Sequence, residues 1–168
     1  SFKLTKVKKW DSVIAIEKDV LKPDLVEGLT GSAHFGVPVL NMTEEWLEKV
    51  TVTIRSKGIH GSFRLPFGLA PLASMKVPVE VILPGAGYAV NHEGKVPVEI
   101  TVTSDGRSDI SRVYLQTKNS DEPHVLTFLS DIDGSAQKFG VNPPLDFDPD
   151  RKYTLIMSTH GAGVDPGG

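Results

Sequence analysis

Branched aliphatic residues return at every second position of this chain, in run after run. From Lys49 to Arg55, Val50, Val52 and Ile54 share one face while Lys49, Thr51, Thr53 and Arg55 share the other. Val77 to Leu83, Val96 to Thr103, Arg112 to Thr117 and Val125 to Leu129 repeat the pattern. Period-two alternation fits a half-buried strand and no helix, because a helix would scatter the same residues around its axis. Ser12 to Glu17 and Val37-Pro38-Val39-Leu40 are shorter apolar stretches of the same kind. Turn chemistry separates the runs: Ser56-Lys57-Gly58, Pro84-Gly85-Ala86-Gly87, Ser104-Asp105-Gly106 and Asn119-Ser120-Asp121. Residues 1 to about 120 are therefore expected to form an all-β fold, a β-sandwich, with the immunoglobulin type as one form of it.

Composition agrees. Sixteen glycines and twelve prolines accompany only 7% aromatic residues, a ratio suited to many short strands and tight turns. One short helix is expected from Thr43 to Lys49, with Thr43 as cap and Glu44 and Glu45 at the positive end of the dipole. Asn41-Met42-Thr43 is formally a glycosylation sequon. Lys76-Val77-Pro78-Val79-Glu80 recurs as Lys95-Val96-Pro97-Val98-Glu99. Proline offers no N–H to a ladder, so both runs should be edge strands or strand starts.

The charge pattern excludes several partners. Net charge is −3 with both signs dispersed, and the basic cluster Lys3, Lys6, Lys8 and Lys9 is soon followed by acids. No basic face with interleaved aromatics suggests nucleic acid. No run approaches the roughly eighteen apolar residues of a membrane span. The chain has no cysteine, which excludes disulfides and thiolate catalysis. The basic start is not followed by an apolar core, so no signal peptide is expected. Beginning at Ser1 and ending on Pro166-Gly167-Gly168 reads as trimming at both sides.

Few motifs carry chemistry. Asp131-Ile132-Asp133-Gly134-Ser135 has the opening of a calcium loop, but Ala136 and Asn142 stand where that loop needs glycine and glutamate. Asp133-Gly134 between two runs with apolar residues is instead a hairpin signal. Asp146, Asp148 and Asp150 read as a solvated loop. None of the five histidines (His34, His60, His92, His124, His160) lies four residues from another, so no metal site and no cofactor is expected. Leu65 to Ser74 is apolar but broken by two prolines and a glycine, so it must lie on its own core or on another domain. Leu65, Phe67, Leu69 and Leu72 are the candidate interdomain contact. Trp10 and Trp46 are expected to pack in the core; exposed instead, they would form an aromatic platform, with Tyr88 and Tyr114 as thinner candidates.

The last motif is the most specific. Tyr153 to Ser158 reads as an apolar strand running into His160-Gly161-Ala162-Gly163, a glycine-rich turn whose N–H groups can face a developing oxyanion. Residues Val125 to Val164, with the Asp133-Gly134 hairpin, Asn142-Pro143-Pro144 and that turn, resemble the start of the hydrolase domain in bacterial prolyl-oligopeptidase-like peptidases and esterases.

The resemblance implies that residues 121–168 are the severed beginning of an α/β-hydrolase sheet: hairpin, third strand, then oxyanion loop at His160, Gly161, Ala162 and Gly163. It implies a secreted or periplasmic location and a catalytic domain lying beyond the chain. No Gly-x-Ser-x-Gly elbow occurs in the sequence, and no acid and histidine follow one in order. The chain alone is thus expected to be non-catalytic, the β-rich leader of a serine hydrolase that positions or oligomerises the catalytic domain. The 153–158 strand, apolar on both faces, is expected to pair with the 125–141 hairpin and to offer its open edge to a second copy. The reading from another class is an independent sandwich that binds carbohydrate or a cell-surface ligand.

Overall fold

The alternating runs become pleated strands that turn their aliphatic residues toward one another across two sheets. The computed structural model describes residues 12–148 and 150–158. Ten strands occur among them: β1 (Val13–Ala15), β2 (Leu25–Val26), β3 (Thr30–Asn41), β4 (Thr51–Ser56), β5 (Ile59–Arg64), β6 (Ser74–Pro84), β7 (Lys95–Ser104), β8 (Arg107–Lys118), β9 (His124–Leu129) and β10 (Ala136–Val141). One sheet has the order β1-β3-β6, the second β2-β8-β7-β4-β5, and β9 pairs with β10 alone. Every pairing is antiparallel except that of β2 with β8. The protein is all-β, as its alternation requires.

The core lies between the two larger sheets. Phe35, Val37 and Val39 of β3 and Val77, Val79 and Val81 of β6 meet Val52 and Ile54 of β4, Val96, Val98, Ile100 and Val102 of β7, and Val113 and Leu115 of β8 in one buried cluster. Each such side chain, withdrawn from water, contributes on the order of 1.5–3 kcal/mol before entropy is counted. Register fixes two opposite ends. The β3–β4 and β5–β6 connections and the Asp105-Gly106 turn lie at one end, the β4–β5 turn and the β6–β7 and β8–β9 connections at the other.

Both prolines of the repeated motif sit where a missing N–H does least harm. Pro78 is on β6, at the edge of its sheet. Pro97 is near the start of β7, beyond Glu99, where the ladder to β4 ends. Gly61 of β5 has a different reason to be glycine. A Cβ there would collide with the Glu80 carbonyl and the Val81 side chain, so the edges of the two sheets close on each other at that point.

The helix expected over Thr43 to Lys49 is not formed; among the described residues the one helical turn is a 3₁₀ turn at Glu17–Asp19. Asn41 wins the competition for the local backbone. Its buried amide Nδ2 donates to the carbonyls of Glu45, Leu69 and Ala70 at 2.9, 3.1 and 2.9 Å. Its Oδ1 accepts from the Thr43 N–H and hydroxyl at 2.9 and 2.7 Å. Side-chain bonds of this kind hold a turn where a helix would need backbone bonds. They also bury the amide that a glycosylation sequon would have to present.

The Asp133-Gly134 hairpin forms as expected, with Ala136 opposite Leu129 and Gly134 at φ +67°. It is clamped to the sandwich. The Asp24 N–H donates to the Val125 carbonyl at 2.8 Å, and the Asp24 carboxylate accepts from the Val125 N–H at 2.8 Å. Farther along, the His34 N–H on β3 donates to the Thr127 hydroxyl at 2.9 Å. β1 pairs with β3 only at residues 39–41 and Leu21 bridges Gly36, so Thr127 continues the cover of the same open edge.

The expected strand over Tyr153 to Ser158 is not formed, and the segment pairs with neither β9 nor β10. Tyr153 is folded back instead: its ring stacks on Phe147 at 5.6 Å and its hydroxyl accepts from the Asp148 N–H at 2.9 Å. Leu155, Ile156 and Met157 are left 82–87% exposed. A strand apolar on both faces needs cover on both, and the described residues supply none.

Candidate functional site

The residues singled out in sequence fall into three groups. His160, Gly161, Ala162 and Gly163, the expected oxyanion loop, lie outside the described residues, as does Trp10. The apolar loop from Leu65 to Ser74 divides in two. Leu65 and Leu69 are buried in the sandwich's own core, whereas Phe67 and Leu72 are 54% and 64% exposed. Tyr114 is exposed on β8 and Tyr88 half-buried at the far end.

At the first end the exposed part of this loop shares a surface with Trp46. The tryptophan is 58% exposed, contrary to the expectation that it packs in the core. Its indole lies on Gly68, where any side chain would collide with it, so glycine forms its seat. Leu47 and Leu69 form an antiparallel bridge with N–H···O distances of 3.0 and 2.8 Å, and Asn41 ties the same two connections together. Leu72 is held at φ +55°, a conformation costly for a branched side chain, while that side chain stays in water. Around this surface Arg107 pairs with Glu45 at 2.7 Å, and the Asp105 carboxylate accepts from the Glu48 N–H at 3.2 Å. The result is a tryptophan, a phenylalanine and a leucine held exposed on two mutually braced loops.

At the opposite end lies a cleft of about 380 Å³ between β2, the β6–β7 connection and the end of β8. Tyr88 and Val90 form part of its wall, with Glu27, Lys118, Asn119 and Glu122 around them. The Tyr88 hydroxyl accepts from the Gly85 N–H at 3.2 Å. Burial raises the phenol's pKa above its ordinary value, and the Gly85 bond opposes that with a smaller effect. Of its lining the sequence singled out Tyr88 as a candidate aromatic but not the cleft, which is assembled from three separated segments, each ordinary by itself.

On the outer face of the first sheet, Ser32 and His34 of β3 stand beside Glu80 of β6. Register puts His34 opposite Glu80, and the Ser32 hydroxyl donates to the Glu80 carboxylate at 2.5 Å. His34 Nδ1 is buried without a hydrogen-bond partner among the described residues. A nucleophilic serine needs its hydroxyl on an imidazole that is oriented by the acid. Here the serine bonds the acid directly, so the order required for proton removal is not assembled. Among the described residues no three metal-ligating side chains converge, and no helix is long and apolar enough to cross a membrane.

Against known proteins, no family model matches the chain and no curated protein is significantly similar to it. The site geometry therefore carries the functional reading.

Proposed function

We propose that this chain is a non-catalytic sandwich of the immunoglobulin type, the N-terminal region of a secreted serine hydrolase (a peptidase or esterase), and that it positions or oligomerises the catalytic domain. The strand order supports the type: β1-β3-β6 facing β2-β8-β7-β4-β5, with a short parallel strand beside β8, follows the two-sheet division of immunoglobulin folds. The His160-Gly161-Ala162-Gly163 motif and the hairpin before it support the hydrolase origin. The observation that carries an associating role is the braced, exposed surface of Trp46, Phe67 and Leu72. Water-facing apolar side chains on rigid loops are an arrangement suited to docking rather than to turnover.

The test is direct. The chain alone, assayed with nitrophenyl esters and peptide anilides, is expected to show no turnover above buffer. Turnover abolished by a serine-directed phosphonate would overturn the proposal.

One observation favours a second reading, an independent module for carbohydrate or a cell-surface ligand. Trp46 is exposed where a core role was expected, and an exposed indole on a flat seat is a stacking platform. Pull-down on insoluble polysaccharides discriminates: binding lost in a folded Trp46→Ala variant supports the module, and no retention of the parent chain removes it.

A further inference from the structure

The cleft at the end opposite Trp46 is separate from the surface that both readings use, although a sugar held there would share its ligand class with the second of them. We propose that it binds a neutral, hydroxyl-rich ring of monosaccharide size. Its volume of about 380 Å³ falls in the range of small-molecule pockets, roughly 300–1,000 Å³. Tyr88 and Val90 supply apolar wall, on which the C–H face of a sugar ring can rest. The Glu27 and Glu122 carboxylates are acceptors and the Asn119 amide is both donor and acceptor, a set that matches adjacent hydroxyls.

Charge narrows the class. Two carboxylates against the one ammonium of Lys118 disfavour phosphates and carboxylates. The same balance does not repel an amine, so the spermidine control separates a cation from the neutral polyol proposed.

The walls are already fixed in place. The Glu27 N–H donates to the Lys118 carbonyl at 2.9 Å and the Gly28 N–H to the Gly85 carbonyl at 2.8 Å. The Glu122 carboxylate accepts from the Asn119 N–H at 2.7 Å. Little order has to be imposed when a ligand enters, which is what a small ligand with few contacts needs. The β8–β9 connection that forms one wall leads directly to the Asp24–Val125 clamp, so an occupant would also brace the hairpin against the sandwich.

The experiment is a titration of the full chain followed by amide NMR. The probes are methyl α-glucoside, methyl α-galactoside and N-acetylglucosamine, with inorganic phosphate and spermidine as charged controls. At least one sugar is expected to give saturable shifts confined to residues 25–27, 85–90 and 117–122. Val90→Trp fills the cleft from an exposed loop position, and Glu27→Gln removes an ionised acceptor; each is expected to weaken binding by about tenfold or more. Both spectra should otherwise match the parent's. Absence of saturable shifts with every sugar, indifference to Val90→Trp, or tighter binding of phosphate or spermidine would overturn the proposal.

Discussion

Asn41 holds the end of the sandwich where the two long connections meet. It is fully buried, and its amide satisfies three carbonyls from two segments while its oxygen accepts from Thr43. Truncation to alanine would remove all of these bonds at once, although the Leu69 and Ala70 carbonyls keep the N–H groups of Leu47 and Ala73 and the Glu45 carbonyl keeps the Thr43 hydroxyl. Asn41→Ala is expected to cost about 3 kcal/mol, since several buried hydrogen bonds are lost together and each contributes about 0.5–1.5 kcal/mol. Thr43→Ala, which loses one hydroxyl and leaves the Asn41 amide engaged, should cost about 1 kcal/mol. Urea unfolding checks both, and an Asn41→Ala chain as stable as the parent would show that the loops are braced by something else. Tryptophan emission adds a local readout in a Trp10→Phe background: as the loops loosen, Trp46 should leave its seat on Gly68.

Among the elements, the β9–β10 hairpin decides how far the sandwich extends along the chain. It shares no ladder with either large sheet, but His34–Thr127 fastens it to the edge of β3 and Asp24–Val125 to the segment that leads into β2. Combined Asp24→Ala and Thr127→Val should release it. The opening free energy of the hairpin amides is expected to fall by about 2 kcal/mol, two charged or neutral hydrogen bonds' worth. Amides of β7 should exchange as before. Equal acceleration in both would mean that the hairpin and sandwich open as one unit.

How legible these elements are in the sequence follows from what forms them. β4, β6, β7 and β8 were readable because their partners impose alternation, with one face on the core and one in water. The Asp105-Gly106 and Asp133-Gly134 turns were readable because positive φ at both glycines and at Asp105 selects the residues. β5 and the first half of β3 were not read: Gly61, Gly31 and Gly36 break the pattern. At Gly61 the reason is the Glu80 backbone pressing against it, a long-range contact with no local trace. The absent helix after Asn41 was lost for a similar reason, because two of the three carbonyls bonded to its amide come from residues 69 and 70. Of the candidate site, the Leu65 to Ser74 loop was legible as apolar, but which leucines turn inward depends on the bridge to Leu47. The cleft was illegible, being a product of assembly.

On the scale of the whole molecule, the exposed apolar surface is unevenly placed. Trp46, Phe67 and Leu72 occupy one end, Phe128 and Phe139 meet in a tilted pair 6.0 Å apart on the hairpin, and Leu155, Ile156 and Met157 follow in a stretch without a partner strand among the described residues. Scattered exposed leucines are ordinary on a soluble domain, but three consecutive apolar residues in water are not. The stretch belongs to no strand and its side chains are bare, which makes it a candidate for strand addition. Self-association through residues 153–158 is therefore the expected behaviour of the isolated chain. Sedimentation velocity across a wide concentration range should show a reversible rise in mean mass. Ile156→Lys with Met157→Lys should return the chain to monomer, because a strand that carries two charges cannot bury them between copies. Trp46→Ala should leave that equilibrium in place if the stretch alone drives it. Mass unchanged by the lysines but lowered by Trp46→Ala would move the self-association surface to the paired loops braced by Asn41.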